Sequence, residues 1–340
     1  MTIVAGYDAG GAHLKVARVE DGRVAAVAQI ACPLWQGLDR LDAALSEAAP
    51  LTHGADRHAV TMTAELCELF ATRREGVIAL SQHLAARLGS ETRFFLGLQN
   101  FGDAAAAASQ TENVASANFL AAAKVIAAQR PKALLIDMGS TTTDIIACDR
   151  PQGMSDAERL QTGELVYTGF TRTPVPSITT RGVLAGQWQG LARDTFATMA
   201  DVRRVLGELP DDVDLHDTAD GRGKSIEESL ARMARGFGRD GEMRHLATWQ
   251  VAALHICDEQ LHSIFDGAIQ VLSRPGLEID IVVAAGIGAP VAHAIANRLG
   301  LGCIDFGEFI GADADVSLAA TRCAPAVAVA LLSSASQPQL

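Results

Sequence analysis

The chain has 340 residues, of which 49% are hydrophobic and 20% are charged, and this balance excludes a disordered chain and allows two lobes with substantial cores. Its formal net charge of −12 excludes non-specific binding to nucleic acid, because a phosphate backbone attracts basic surfaces. The six cysteines include no C-x-x-C pair, which argues against a disulfide framework or a structural zinc site. The sequence shows neither a signal-peptide pattern nor the roughly 20 apolar residues that cross a bilayer, so we expect a cytoplasmic protein without membrane partners.

The first 130 residues alternate between strand and helix patterns in the order β-β-β-α-β-α-β-α. Three short strands separated by Gly-Gly and Asp-Gly turns open the chain, which is typical of consecutive hairpins. Apolar residues at helical spacing predict the helices, and Gly89 and Pro131 mark two of their ends. The predicted segments are Ile3–Tyr7, Leu14–Glu20, Val24–Ile30, Leu38–Ala48, Ala59–Met62, Leu66–Leu88, Arg93–Leu96 and Val114–Ala128.

A second lobe is predicted at residues 131–322, after a first lobe at residues 1–130. An apolar helix at about 323–334 is expected to pack back on the first lobe, before a frayed tail at Ser333–Leu340. The second lobe opens with another strand, turn and return strand. Its predicted segments are strands at Lys132–Asp137, Glu164–Thr168 and Ile279–Ala284, an extended Pro174–Arg181, an interrupted helix at Leu184–Leu206, a loop at Pro210–Lys224, and helices at Ser225–Phe237, at Met243–Leu272, before Gly300 and at Ala324–Leu332.

One motif occurs twice. Gly6–Lys15 and Leu135–Ile146 each contain an apolar strand that ends in Asp, a tight turn of Gly and small residues, and a return strand. A single Gly-Gly hairpin is more often an ordinary turn, but two such hairpins predict two phosphate-holding loops that face each other across a cleft. In a third element, Gly286 and Gly288 precede Pro290 at a predicted helix start, and a helix N-terminus also favours anions.

Each predicted loop offers hydrogen-bond donors to a phosphate. In the first, Gly10 and Gly11 allow positive φ, so that backbone N–H groups can surround an anion, with Lys15 in reach as a point charge. In the second, a glycine is followed by four hydroxyl residues, whose side chains also donate. The predicted phosphate-binding residues are Gly10, Gly11, Lys15, Gly139, Ser140, Thr141, Thr142, Thr143, Gly286 and Gly288.

Three aspartates border these loops, namely Asp8, Asp137 and Asp144. A carboxylate does not bind phosphate directly, but it can hold Mg²⁺ through waters, and the metal then neutralises the phosphate charge. We therefore expect Mg²⁺ as the cofactor, with these three residues organising it. Three further segments, Thr61–Gly76, Thr168–Pro176 and Asp217–Lys224, are dense in polar residues, although each alone is more typical of a solvated turn.

The two hairpins and the Gly286 element, in this order, resemble the sugar kinase/Hsp70/actin superfamily. The resemblance implies a two-lobed α/β fold, in which each actin-like lobe is a ribonuclease-H-like mixed sheet with flanking helices. Over about residues 1–330, the chain further resembles the condensing enzymes of methanofuran biosynthesis, which are hydantoinase/oxoprolinase-like proteins of tetrahydromethanopterin-linked one-carbon transfer. Phe119 stands where this family is expected to have Trp. The stretches that carry the resemblance are Gly6–Lys15, Thr61–Gly76, Ala117–Ala122, Leu135–Ile146, Thr162–Pro176 and Asp217–Arg222.

The resemblance implies a transferase that makes an aryl ether for a methanofuran or methylofuran cofactor. The substrates would be 5-(aminomethyl)furan-3-ylmethyl diphosphate and a phenolic acceptor, which is tyramine, tyrosine or a glutamylated derivative, and diphosphate would leave. ATP is not expected in this reaction. The partners are therefore small molecules, and a homodimer is left open.

The same resemblance implies roles for individual residues. The catalytic candidates are Glu65 as the first choice of base, His13 as the second, and Lys15 and Asp144. A carboxylate on the acceptor would suit an arginine. The candidates for substrate binding are Thr63, Arg74, Asn118, Thr168, Arg172, Asp220 and Arg222.

Three other functions use the same fold. An ATP-dependent small-molecule kinase would use Asp144 or Asp137 to deprotonate a hydroxyl, and it would release ADP. A nucleotide-binding, actin-like regulatory protein would show little turnover. An ATP-driven ring-opening amidohydrolase is disfavoured, because such chains are usually much longer than 340 residues.

Overall fold

The computed structural model describes residues 1–335 and contains two mixed β-sheets. The first sheet has six strands in the order β3-β2-β1-β4-β5-β6. β1, β2 and β3 form two antiparallel hairpins, β4 lies parallel to β1, and β5 lies parallel to β4. The hairpins predicted from the opening turns are therefore confirmed. The strands are β1 Ile3–Ala9, β2 His13–Glu20, β3 Arg23–Ala31, β4 Arg57–Met62, β5 Thr92–Phe95 and β6 Phe101–Gly102.

Five helices accompany this sheet: α1 Leu38–Thr52, α2 Arg73–Leu88, α3 Ala104–Ser109, α4 Thr111–Val114 and α5 Asn118–Ala127. The prediction that a helix begins at Leu66 is wrong, because Ala64–Leu66 forms a single 3₁₀ turn and α2 begins later. Thr72 caps α2, since its side chain accepts a hydrogen bond from the backbone N–H of Glu75.

The second sheet has five strands in the order β13-β12-β7-β8-β9, and a separate hairpin joins β10 to β11. β7 and β8 are antiparallel, whereas β12 lies parallel to both β7 and β13. The strands are β7 Ala133–Met138, β8 Thr143–Ala147, β9 Leu165–Val166, β10 Arg181–Leu184, β11 Gln187–Gly190, β12 Ile281–Ala285 and β13 Gly302–Asp305.

Nine helices belong to the part of the chain from residue 131 to residue 335: α6 Asp156–Thr162, α7 Val175–Ile178, α8 Met199–Leu206, α9 Ile226–Gly236, α10 Leu246–Leu272, α11 Ala289–Leu299, α12 Phe306–Phe309, α13 Ala314–Arg322 and α14 Ala324–Ala335. Sequence patterns missed β13, α12 and α13. The predicted tail is wrong at residues 333–335, which belong to α14, and residues 336–340 lie outside the described part.

The predicted helix at Leu184–Leu206 is wrong in its first half, which forms the β10–β11 hairpin. Ala185 and Gly186 form the two-residue turn between these strands, with φ values of 49° and 78°. Positive φ at both positions is what a two-residue turn needs to match the twist of the strands on either side. The predicted extended segment at Pro174–Arg181 is also wrong in part, because it contains α7. The predicted loop at residues 210–224 contains neither a helix nor a strand.

Helices α5 and α14 pack against each other and contact strands of both sheets. α14 packs on β1, β2 and β4 of the first sheet. One apolar cluster accordingly runs from Val4 in β1 through both helices to Leu135 in β7. A side chain at Gly6 would overlap the backbone oxygen of Ala326, so glycine permits the helix to touch the strand. The lobe boundaries themselves stay a prediction.

Within residues 1–335, no single helix is long and apolar enough to cross a bilayer. α13 and α14 together reach the length, but the chain bends by 107° between them.

Candidate functional site

A cleft of about 430 Å³ opens where the β1–β2 turn faces the β7–β8 turn. Both hairpins place an aspartate at the end of the first strand, and the two aspartates line the cleft. In the first hairpin, Asp8 lies opposite Lys15, whereas in the second, Asp137 lies opposite Asp144. The two repeated motifs therefore meet at one site, with one cation and three carboxylates at equivalent positions.

Lys15 supplies a fixed positive charge at the inner end of the cleft. Its Nζ lies 3.5 Å from Oδ2 of Asp8. Burial opposes the charged ammonium, but the carboxylates of Asp8 and Asp137 outweigh this effect and raise the pKa of Lys15 to about 12. The ammonium is therefore charged throughout the physiological pH range, as an anion-binding group must be.

The glycines of the two turns act differently from the prediction. Gly10, Gly11 and Gly139 do not adopt positive φ, so the predicted left-handed wrapping of an anion is wrong. Instead, the N–H of Gly10 donates to His13 O at 3.0 Å, and the N–H of Gly139 donates to Thr142 O at 2.9 Å. These bonds close each turn tightly and bring the residues that follow to the cleft.

Three of the four predicted hydroxyl residues face the cleft: Ser140, Thr141 and Thr142. The fourth, Thr143, is buried, and its Oγ1 donates to the backbone oxygen of Thr168 at 2.7 Å. Thr143 is therefore a support of the loop, since its hydroxyl cannot also reach a ligand in the cleft.

The carboxylates do not form one direct ligand set. Burial raises the pKa of Asp137 to about 7; Lys15 opposes this shift, whereas Asp144 and Asp8 add to it. The guanidinium of Arg159 engages Asp144. Over residues 1–335, no three His, Cys, Asp or Glu side chains are grouped so that they could hold a metal. Within residues 1–335, Oδ1 of Asp8 is buried and has no hydrogen-bond partner. Asp8 and Asp137 are therefore the carboxylates that could hold a cation.

A charged network joins the two lobes beside the cleft. Glu65 Oε1 accepts hydrogen bonds from Arg73 Nη2 at 2.9 Å and from Ser116 Oγ at 2.8 Å. Asp156 Oδ2 lies 3.1 Å from the same Arg73 nitrogen, and Asp156 Oδ1 accepts from Arg159 Nη2 at 2.6 Å. α2 of the first lobe is therefore tied to α6 of the second through alternating charges.

Glu65, the first predicted base, does not line the cleft itself. It is buried, and its Oε2 has no partner among the residues described. Burial raises the pKa of Glu65, although hydrogen bonds from Arg73 and Ser116 oppose that shift. Ser116 does line the cleft and stands between the carboxylate and the open space.

His13, the second predicted base, lines the cleft in a neutral form. Burial is the largest cause that lowers its pKa, and the nearby His216, Lys15 and Arg172 add to it, so that the pKa is about 2. A group with that pKa is a poor proton acceptor, which disfavours His13 as the base. Its ring instead packs against His216, with 4.6 Å between ring centroids.

Aromatic side chains and Arg172 form the outer wall of the cleft. The guanidinium of Arg172 lies 5.1 Å from the ring centroid of Trp35, and its Nη1 lies 3.5 Å from Thr141 Oγ1. Tyr167 is 58% exposed and Leu66 is 49% exposed, and both line the same space. Large apolar side chains that face solvent in a cleft are typical of ligand contacts.

Of the other predicted substrate residues, Thr63 and Asn118 line the cleft, the latter at the first turn of α5. Arg74 is exposed and does not line it; its neighbour Arg73 faces the network instead. Thr168 is buried behind the hydroxyl loop, where its Oγ1 accepts from Gln260 Nε2 at 2.7 Å. The assignments of Arg74 and Thr168 to substrate binding are therefore not supported by their positions.

Four further predicted residues do not line the cleft. Asp220 pairs with the fully buried Arg232 at 3.0 Å, and Arg222 is exposed outside the cleft. The N–H groups of Gly286 and Gly288 donate to Thr321 O at 2.8 Å and Met138 O at 2.9 Å, so neither is free for an anion. A side chain at either glycine would overlap Met138, which explains the glycines by close packing.

Sequence patterns missed several residues that the fold brings to the site. Asp156 and Arg159 share the first turn of α6, which a Ser155–Glu158 capping box begins, and this capping pattern was the available signal. Nothing in the sequence marked Ser116 or Trp35, because their positions depend on contacts between distant segments.

Comparisons with known proteins identify the family of this chain. A family model described as hydantoinase/oxoprolinase matches residues 56–327. A (4-{4-[2-(gamma-L-glutamylamino)ethyl]phenoxymethyl}furan-2-yl)methanamine synthase from Methanocaldococcus jannaschii is 31% identical over 245 residues, which are 71% of this chain and 73% of that protein. A synthase of the same name from Methanococcus vannielii is 33% identical over 105 residues, 30% of this chain and 47% of that protein.

The chain therefore belongs to the hydantoinase/oxoprolinase family, and within it to the methanofuran-biosynthesis group whose motifs it carries. The family predicted from the sequence is confirmed. A solved structure of nucleotide-free acetone carboxylase matches with a TM-score of 0.55 and 10% identity, over 88% of this chain and 68% of that one. At this identity the match shows the fold alone, and the predicted two-lobed α/β fold is confirmed.

Proposed function

We propose that this protein is a transferase that joins an aminomethyl-furanmethyl group to a phenol as an aryl ether, with diphosphate as the leaving group. The names of the related synthases describe a product with such a phenoxymethyl-furan ether. The single observation that carries the proposal is the mixed lining of the cleft. Lys15, Arg172 and the hydroxyl loop line it together with the exposed side chains of Trp35, Tyr167 and Leu66.

The cation and hydroxyl groups of the lining suit the leaving group. The CH₂–O bond to diphosphate breaks, and its electron pair leaves on the diphosphate oxygen. The Lys15 ammonium and the hydroxyls of Ser140, Thr141 and Thr142 can donate to that oxygen as its charge develops, which is where electrostatic stabilisation lowers a barrier. The furan ring spreads the positive charge that develops on the CH₂ group.

The apolar wall suits the two rings. Trp35, Tyr167 and Leu66 offer flat and apolar surfaces against which a furan and a phenol can pack. Arg172 stands at this wall and can bind a carboxylate of the acceptor in a bidentate manner. We therefore infer an acceptor with a carboxylate, such as tyrosine or a glutamylated tyramine, over unsubstituted tyramine.

The balance of charges in the cleft indicates that a cation accompanies the diphosphate. Five acidic residues line the cleft, and three lysine or arginine residues oppose them. Asp8 and Asp137 would hold Mg²⁺, which, when bound, neutralises charge on the diphosphate. Lys15 lies beside the same two aspartates, so this residue of the chain positions the diphosphate next to the cation.

The test combines the purified protein with aminomethyl-furanmethyl diphosphate and each acceptor, with and without Mg²⁺ and with and without ATP. We expect diphosphate release and the ether, detected by mass spectrometry, with Mg²⁺ and without ATP. The Arg222→Ala variant is the control, because Arg222 is exposed outside the cleft. A product that forms only with ATP, together with ADP, would replace the proposal with the kinase alternative.

A further inference from the structure

Ser116 occupies a strained and buried position at the edge of the cleft. It precedes α5 with a φ of 50°, in the left-handed region that residues other than glycine rarely adopt. The residue is 5% exposed and nevertheless lines the cleft. A strained backbone at a functional site is held by its surroundings, and here three polar side chains hold the hydroxyl.

The hydroxyl oxygen of Ser116 can accept one more hydrogen bond. Its Oγ accepts from Arg73 Nη2 at 2.6 Å and donates its proton to Glu65 Oε1 at 2.8 Å. Asp156 Oδ2 lies at the longer distance of 3.4 Å from the same oxygen. Because a hydroxyl has two lone pairs, one acceptor position on Oγ remains for a donor in the cleft.

Glu65 is the acid that this hydroxyl connects to the cleft. Its carboxylate is 1% exposed, and within residues 1–335 its Oε2 has no hydrogen-bond partner. A desolvated carboxylate accepts a proton more readily than one in water. The charged groups around it are Arg73 on α2 and, one step further, Asp156 and Arg159 on α6.

We propose that Ser116 and Glu65 together take the proton of the phenolic acceptor. This inference rests on the proposed ether-forming reaction. The phenol O–H donates to Ser116 Oγ and transfers its proton there, while the serine proton moves to Glu65. The phenol oxygen forms the bond to the furan CH₂, the bond from CH₂ to diphosphate breaks, and Glu65 later releases its proton to solvent.

The acidic residues that line the cleft are engaged elsewhere or open to solvent. Asp8 lies beside Lys15, Asp144 is held by Arg159, and Asp156 is shared between Arg73 and Arg159. Asp137 lies near Lys15, and Glu68 is exposed to solvent, near the charge of Arg172. Glu65 is the buried acid that a hydroxyl connects to the cleft.

The experiment compares Ser116→Gly and Glu65→Gln with the wild-type protein. Glycine suits a φ of 50°, so Ser116→Gly removes the hydroxyl without adding strain. Glutamine keeps an oxygen that accepts the hydrogen bonds now made to Oε1 of Glu65. It replaces only Oε2, the oxygen without a partner among residues 1–335, by an amide nitrogen. Glu112→Gln, at an exposed glutamate of α4, is the matched control, and thermal unfolding checks that each variant folds.

Each protein is assayed with tyrosine and with a ring-fluorinated tyrosine whose phenol ionises near neutral pH. With the ordinary phenol, we expect the rate of ether formation to fall by about 100-fold or more in both variants. With the fluorinated phenol the loss should shrink to about 10-fold or less, because the acceptor is already ionised. An equal loss with both acceptors, or no loss, would overturn this inference. Absence of ether with the wild-type protein would instead overturn the proposed function.

Discussion

The two hairpins that face each other across the cleft share a backbone arrangement but differ in the residue opposite a shared aspartate. In each, an aspartate lies near the end of the first strand, and its cross-strand partner is Lys15 in one hairpin and Asp144 in the other. The first hairpin therefore presents a cation to the cleft. The second hairpin places two aspartates opposite each other, and the guanidinium of Arg159 in α6 neutralises the charge of Asp144.

The two hairpins therefore have different roles in the site. Lys15 keeps part of its charge open to the cleft, whereas Asp144 is used to hold α6 in place. α6 in turn brings Asp156 to Arg73 of the first lobe. A repeated hairpin thus fixes where the side chains stand, and the residue opposite the aspartate decides whether the hairpin binds a ligand or binds the rest of the protein.

The largest effect is expected from removing the cation of the first hairpin. Lys15→Ala should lower the rate of diphosphate release by about 100- to 1000-fold, as for loss of one charge-stabilising donor. Lys132→Ala is the control, because Lys132 is exposed and pairs with Glu278 on the surface. Steady-state kinetics and mass spectrometry of the ether provide the measurement. If Lys15→Ala retained the activity of the control, the first hairpin would have no role in binding the leaving group.

The second effect concerns the acid of the second hairpin that faces Lys15. Burial raises the pKa of Asp137 from its ordinary value near 4 to about 7, so the folded protein holds a proton that the unfolded chain releases. Between about pH 4 and pH 7, stability should therefore fall as pH rises, and the loss should be complete above pH 7.

Asp137→Asn should remove this dependence and make the protein more stable than wild type at pH 8 by about 2–4 kcal/mol. The measurement is urea unfolding at pH 4, 6 and 8 in EDTA, followed by repetition with Mg²⁺. We expect Mg²⁺ to stabilise the wild-type protein more than the variant at pH 8. Parallel pH curves for the two proteins would contradict the assignment of a proton to Asp137.

The third effect tests the structural role of Asp144. Asp144→Asn leaves buried Arg159 with Asp156 as its remaining carboxylate partner, so we expect a loss of about 2 kcal/mol in the free energy of unfolding. Asp8→Asn in the first hairpin should cost less, because the freed Lys15 ammonium reaches the cleft and its water. Urea unfolding of both variants at pH 7 provides the comparison. A larger loss for Asp8→Asn would reverse the roles given to the two hairpins.

The sequence predicted most of the scaffold and part of the site, for identifiable reasons. Turn chemistry and strand alternation located the hairpins, and the repeated motif located the cleft between them. Lys15, Asp8 and Asp137 follow directly from that repeat. Ser116 does not, because its role depends on contacts with segments about 40 residues or more away. Arg159 does not, because its role depends on how α6 packs against Asp144 of β8. Gly286 and Gly288 were misassigned because only the fold shows that their N–H groups already have carbonyl partners.

The smallest effect compares the turn glycines of the two hairpins. A Cβ atom at Gly10 would lie 2.9 Å from His13 O, whereas one at Gly139 would lie 3.7 Å from Thr142 O, and neither glycine has positive φ. Gly10→Ala should therefore force the first turn to shift and cost about 1–2 kcal/mol, while Gly139→Ala should cost less than about 0.5 kcal/mol. Thermal unfolding gives the stability, and the KM for the diphosphate substrate reports the shift of the turn beside Lys15. Equal effects of the two substitutions would show that the first turn has room to relax, and that the hairpins differ only in the residues opposite their aspartates.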